Sequence, residues 1–285
     1  MIFSMTAWAS AEATGPTGTL SCELRSVNHR YLEISPRLPD DLRAYESLLR
    51  ERIEGVLSRG KVDVTIRRVG ARSDALQVDD ALLSRLAQLH ADMAPRFPGL
   101  RAEFTELLRY PGVLQQAEVE PEAQKAAVLD VVDRALDGLS ATRFREGDKL
   151  ADVLRDRLDS IEHVLRDVRE WAPQIRAALR GKLEARLADL KQGMDQDRLE
   201  QELLLQVTRA DVDEELDRLA AHVSETRRVL SLQEPVGRRL DFLMQEFNRE
   251  ANTLGSKSVD QRSTNAAIEL KVLIEQMREQ VQNIE

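Results

Sequence analysis

The chain has 285 residues, enough for one large domain or two ordinary ones, and 42% of them are hydrophobic, enough for a substantial core. Charged residues make up 32% and aromatics only 4%, a balance that goes with helices packed along their lengths. The formal net charge of -9 excludes a globally basic nucleic-acid binder. It leaves room for a local basic surface, because Arg doublets stand at Arg67-Arg68, Arg227-Arg228 and Arg238-Arg239. The single cysteine, Cys22, excludes an intramolecular disulfide and fits a reducing compartment. No His/Asn frame surrounds it, so a buried strand position is expected rather than a nucleophile. Residues 1–15 lack a basic leader and their apolar run is broken by Ser4 and Thr6, so no signal peptide is expected. No run approaches the roughly 18 apolar residues of a membrane span, and the expected location is the cytoplasm.

Residues 1–70 read as strands around one helix. Thr19 to Arg25 alternates polar and apolar side chains, and the turn residues Thr14 to Gly18 predict a hairpin with residues 2–12. From Asp40 to Ser58 the apolar residues Leu42, Tyr45, Leu48, Leu49, Ile53, Val56 and Leu57 keep to one helical face. Arg59-Gly60 ends that helix before a second alternating run through Val62, Val64 and Ile66. Between them, Asn28, His29, Arg30 and Tyr31 offer amide, imidazole, guanidinium and phenol in succession. Such a loop can stack on a base and hold a phosphate, or it is a surface turn with an incidental His.

Two short helices are expected over 79–109, closed by Pro111-Gly112, with a polar linker near 118–122. The chain then becomes almost wholly helical. Leu150, Leu154, Leu158, Ile161, Leu165 and Val168 step by four and three, the seam of a helical hairpin or an oligomer contact. Pro173 is expected to kink or restart the helix, and Ile175, Leu179, Leu183, Leu187 and Leu190 continue the stripe until residues 192–195 break it. An arm of two long helices is the simplest account, with a single mixed bundle as the alternative.

A further long helix is predicted over 198–230. Its stripe of Asp211, Glu215, Arg218 and His222 is either a solvated charge ladder or a row that includes a metal ligand or general base. From Gly237 the helical pattern returns, and Glu246 and Glu250 project one turn apart from the same side. Like charges at that spacing repel by a few tenths of a kcal/mol, and a divalent cation or Arg249 is the natural compensation. The pattern then fails over 251–258, where Asn252, Ser256 and Lys257 lie in a run of small, amide and hydroxyl residues. That run is either a phosphate-holding loop or a helix end followed by the next start. A last helix is expected from about Ser263 to Glu285, burying Leu270, Leu273, Ile274, Met277, Val281 and Ile284.

Taken together these motifs resemble the YicC/YloC family of bacterial proteins. The resemblance is carried by the opening Met1-Ile2-x-Ser4-Met5-Thr6, by Arg25-Ser26-Val27-Asn28-His29-Arg30-Tyr31-Leu32-Glu33, by Arg59-Gly60-Lys61-Val62 and by Pro111-Gly112-Val113-Leu114. Arg198-Leu199-x-Gln201-Glu202, Arg218-Leu219-x-x-His222, the run from Gly237 to Ser258 and Arg278 to Glu285 carry it through the second half. Two departures stand out: Ala7-Trp8-Ala9 where the family resembles Gly-Phe-Gly, and Ala251-Asn252-Thr253-Leu254 where it has Ile-Asn-Thr-Ile. The first removes two glycines, which counts against any role needing close backbone approach at that strand.

The resemblance implies a divalent-metal-dependent endoribonuclease of single-stranded RNA, acting in RNA turnover. It also implies a homo-oligomer, a homohexamer with RNA entering a central opening, and other RNA-decay proteins as partners. The fold class expected is α+β, with a small antiparallel-sheet unit in residues 1–118, a long helical arm in 119–195 and a helical domain carrying the motif in 196–285. The catalytic candidates are Glu246, Glu250, His222 and Arg249. Manganese or magnesium is expected on Glu246, Glu250, His222 and Glu215, with Asn28, His29, Arg30, Arg238, Arg239, Asn252, Ser256 and Lys257 on RNA. The alternative is a non-catalytic oligomeric RNA-binding adaptor or chaperone.

Overall fold

The structure is a computed structural model that describes residues 2–15, 18–69, 77–115, 120–189, 201, 208 and 210–285. It is α+β, a four-stranded sheet followed by long helices. Strands β1 (Ala7–Gly15) and β2 (Gly18–Val27) form the expected hairpin, in the register Ala9 to Leu24 and Ala13 to Leu20. Strand β4 (Gly60–Val69) runs antiparallel to β2, pairing Cys22 with Ile66. Strand β3 (Leu32–Arg37) joins the far side of β4 in parallel, pairing Ile34 with Val62, in the order β1-β2-β4-β3. The sheet is therefore mixed rather than purely antiparallel. A helical crossover between β3 and β4 returns the chain to the same end, which allows only parallel pairing. That crossover is a 3-10 turn over Asp40–Tyr45 and then α1 (Glu46–Glu54), shorter than the single helix predicted over 40–58; of the predicted face Leu42, Leu49, Ile53 and Leu57 are buried, whereas Val56, beyond the end of α1, is 50% exposed.

A separate two-stranded ribbon, β5 (Gln77–Val78) with β6 (Leu114–Gln115), encloses α2 (Asp80–Met93) and α3 (Phe104–Arg109). The Asp79 carboxylate accepts the Leu82 amide at 2.8 Å and caps α2.

Helix α4 (Pro121–Asp189) is the spine. Its apolar residues switch partner along its length. Val128, Val131, Val132, Ala135, Leu136 and Leu139 pack against the sheet core, whereas Leu154, Leu158, Ile161, Leu165 and Val168 belong to the helical core. The expected arm is thus embedded for most of its length, and among the described side chains the buried positions of α4 stop at Ile175. The helix also runs through Pro173 instead of breaking there. A proline inside a helix costs about 3 kcal/mol, and burial of Ala172 and Ile175 beside it offsets this locally. The stripe positions Leu187 and Leu190, and Arg198, Leu199 and Glu202 of the motif around residue 200, lie outside the side chains described.

Three helices complete the core: α5 (Asp213–Leu230), α6 (Gly237–Lys257) and α7 (Gln261–Val281). Among the described residues, no helix is long and apolar enough to cross a membrane. The two cores are tied together where the chain ends meet. Ser4 and Ile284 form an antiparallel bridge, the Met5 amide donates to Asn283 O at 2.8 Å, and the Glu285 amide donates to Phe3 O at 2.9 Å. Arg143 of α4 donates from Nε to Ser4 O at 2.7 Å and forms a buried ion pair with Glu285.

Candidate active site

Helices α5 and α6 lie antiparallel, and cross-helix contacts rise along one as they fall along the other. Lys257 meets Glu215, Glu250 meets Arg218, Phe247 meets His222 and Arg239 meets Glu225. α6 buries Leu240, Leu243, Met244, Phe247, Ala251 and Leu254 at helical spacing, which turns Glu246 and Glu250 toward α5. One nitrogen of His222 and one oxygen each from Glu246 and Glu250 all lie within 4.8 Å of one another. Thus three of the four expected ligands converge.

The environment of the three is uneven. The Glu250 side chain is 4% exposed and that of Glu246 27%. Arg218 Nη1 donates to Glu250 Oε1 at 3.3 Å, and its Nη2 donates to Glu214 Oε1 at 2.5 Å. Those bonds and charges, Glu250's hydrogen bond first, raise the Arg218 guanidinium above its ordinary pKa. His222 stands edge-on to Phe247 with ring centroids 5.6 Å apart, and its buried Nε2 has no hydrogen-bond partner among the described residues. One imidazole nitrogen within reach of two carboxylate oxygens is the donor set for a borderline or hard divalent cation such as Mn²⁺ or Mg²⁺. The residues present fit the group.

Glu215, the fourth expected ligand, lies elsewhere. Its buried carboxylate accepts both 2.8 and 3.0 Å hydrogen bonds from Lys257 Nζ, and it is not among the converging donors. Glu215 and His222 share a helix face but sit about 10 Å apart along the axis, at 1.5 Å per residue. That pairing also takes Lys257 away from its expected role as a phosphate holder. The loop predicted over 251–258 is the last turns of α6, which runs unbroken to Lys257. The Ser256 hydroxyl donates back to Thr253 O at 2.8 Å. Asp260 then caps the start of α7: its Oδ1 accepts the Arg262 amide at 2.9 Å, and the Ser258 hydroxyl donates to Asp260 O at 3.1 Å. Small and amide residues break helices only weakly when one face is buried, here by Ala251 and Leu254.

The other RNA candidates fall into two groups. Arg249 is exposed on α6 with its Nη1 3.9 Å from Glu246, whereas Asn252 is exposed on another side of the helix from Glu250, its Nδ2 donating to Asn248 Oδ1 at 2.7 Å. The second group lies at the junction of the chain ends. Asn28 Nδ2 donates to Gln282 O at 2.7 Å, His29 Nδ1 stands 2.9 Å from Tyr31 O, and the Arg30 guanidinium lies over the exposed Tyr31 ring at 5.2 Å. Arg238 is exposed, without an ion pair among the described residues, while Arg239 Nη2 donates to Glu225 Oε1 at 2.7 Å. Asn28 is therefore a tie between sheet and α7. Two neighbours of the site were missed as site residues: Arg218 and Phe247. Arg218 was legible in principle, being one turn before His222 on the same stripe.

Comparison with known proteins gives the family. The family described as "Endoribonuclease YicC-like, N-terminal region" matches residues 2–152, and "Endoribonuclease YicC-like, C-terminal" matches residues 168–285. The chain is 42% identical over 288 aligned residues to a protein of Haemophilus influenzae named "Probable endoribonuclease YicC", covering all of both chains. It is 28% identical over 293 aligned residues, again across all of both, to a protein of the same name from Clostridioides difficile. With both halves matched and the relatives spanned from end to end, the chain belongs to the YicC-like endoribonuclease family.

Proposed function

We propose that the chain is a divalent-cation-dependent endoribonuclease that cuts single-stranded RNA at the face between α5 and α6. The observation that carries this is the convergence of His222, Glu246 and Glu250 within 4.8 Å. A bound Mn²⁺ or Mg²⁺ would supply Lewis-acid polarisation of a phosphodiester and a water of lowered pKa. Glu250, fixed by burial and Arg218, and Glu246, half-open to solvent, would hold it together with His222. Exposed Arg249 flanks Glu246, where a phosphate would lie, and Asn252 would meet the strand further round α6. We assign the group at Asn28, His29, Arg30 and Arg238 at most to guiding the strand, because it sits more than two helical turns from Glu246. The activity belongs to RNA turnover in the cytoplasm, within a homohexamer that works beside other RNA-decay proteins.

The test uses labelled single-stranded RNA with the purified chain in Mn²⁺, Mg²⁺ or EDTA, comparing wild type with Glu246→Gln and Glu250→Gln. Internal cleavage that needs metal and drops at least 100-fold in both variants, with RNA still bound, is the expected result. RNA bound but never cut by wild type with any metal sinks the enzyme and leaves the adaptor.

A further inference from the structure

Two arginines stand beside the three converging donors, one from each helix. Arg249 of α6 keeps its Nη1 3.9 Å from Glu246 Oε2, past hydrogen-bond reach. Arg218 of α5 is held at both prongs of its fork: Nη1 donates to Glu250 Oε1 at 3.3 Å and Nη2 to Glu214 Oε1 at 2.5 Å. The two holds differ in kind. Glu250 is buried, so it needs a counter-charge beside it whatever arrives from outside. Glu214 is 67% exposed and meets Arg218 from one helical turn away, a pairing that contributes little in water and is easily exchanged.

Glu214 is also a poor neighbour for a face that takes RNA. Only the Arg218 guanidinium separates it from Glu250, so it adds a third carboxylate to the two that a phosphodiester must already approach. The acidic first turn of α5, Asp213 to Glu215, suits the positive end of the helix. That accounts for an acid at 214 but not for its hold on the prong next to Glu250. To a guanidinium, a carboxylate and a phosphate offer the same thing, paired anionic oxygens that accept parallel N–H donors. A phosphate in place of Glu214 would take Nη2 while Nη1 stays on Glu250. It would then lie one guanidinium's breadth from the carboxylate that converges with Glu246 and His222.

We propose that Arg218 is a phosphate-binding residue of the RNA site and that Glu214 occupies its outer prong until the strand arrives. The incoming phosphate takes over Nη2, and Glu214 turns out into solvent. This rests on the reading that the face between α5 and α6 receives single-stranded RNA, and it gives α5 a phosphate contact to match Arg249 on α6.

Fluorescence anisotropy of labelled single-stranded RNA on the full chain tests it, in EDTA so that neither a cation nor cleavage enters. Wild type is compared with Glu214→Gln, Arg218→Gln and the double variant. Gln at 218 keeps an amide donor for Glu250, and circular dichroism verifies folding. Arg218→Gln should bind about tenfold more weakly, having lost a charged forked contact. Glu214→Gln should bind about threefold more tightly, having lost a competitor for the prong. The double variant carries the decision. It should bind as Arg218→Gln does, because Glu214 acts only through the arginine. Wild-type affinity in either single variant overturns the proposal. So does an equal gain from Glu214→Gln with and without Arg218, since Glu214 is then only a repelling charge. Glu214→Gln leaves Arg218 on Glu250, so its result stands whether or not the variants at 218 fold. Cleavage is scored separately: RNA bound but never cut with any metal sinks the nuclease reading and leaves this contact in place.

Discussion

The three converging donors differ in what holds them. Glu250 is buried and countered by Arg218, His222 is fixed against Phe247, and Glu246 reaches its place from a more exposed position. The register that sets them is maintained beyond them by charged pairs, among which Glu225 is the clearest. Arg228, and then Arg239 from α6, hold its carboxyl down at about 2, against a model-peptide value of 4.5. Since the folded value lies below the unfolded one, its stabilisation is present above pH 4.5 and is lost as pH falls from there toward 2. Thermal unfolding should therefore show Glu225→Gln less stable than wild type at pH 6, with the gap narrower at pH 3 and closed only below about pH 2. The group is exposed, so the effect is modest, and a gap of equal size at both pH values contradicts the assignment.

Helix α4 shows how one element takes opposite demands along its length. Gly147 and Gly181 are both interior positions of this helix, where alanine ordinarily adds up to about 1 kcal/mol. At Gly181 a Cβ would meet nothing within 4 Å, and Gly181→Ala should stabilise by that amount. At Gly147 a Cβ would run into the Ile2 carbonyl, because residues 2–5 cross the helix there. Gly147→Ala should destabilise by roughly 1–3 kcal/mol, the cost of overpacking. Urea denaturation of the pair tests this, and two shifts of the same sign would refute the crossing. The ends of α6 and α7 teach a related lesson. A string of Asn, Thr, Gly, Ser and Lys reads as a loop until Ala251 and Leu254 are seen buried on the same turns.

Across the whole molecule, the family motifs of the first and last segments meet at one junction rather than at the site. Arg59 Nη2 donates to Ile284 O at 2.9 Å, Ser26 Oγ to Met5 O at 2.8 Å and Asn28 to Gln282 O, with Arg143 and Glu285 paired beneath. Arg143 and Glu285 side chains are 6 and 14% exposed, so removing one charge leaves the other in a poorly solvated place. Arg143→Met should cost about 3 kcal/mol in chemical denaturation. It should also raise amide exchange in residues 3–5 and 283–285 together. Exchange rising at only one of the two ends would contradict the shared clasp.

The hydrophobic alternation of β2 and β4, the stripe of α4 and the placing of Glu246 and Glu250 on one side of α6 are local properties, set by periods of two and 3.6 residues, and the sequence alone determines them. The same periodicity puts Glu215, Arg218 and His222 on one face of α5 without saying which meets the paired carboxylates. Antiparallel docking decided that: a shift of two turns exchanges His222 for Glu215, and only the tertiary register makes the first a partner of Glu246 and Glu250 and the second a partner of Lys257. Likewise β3 joins in parallel and Asn28 ties down Gln282 because of where distant segments arrive in space, which no local spacing encodes.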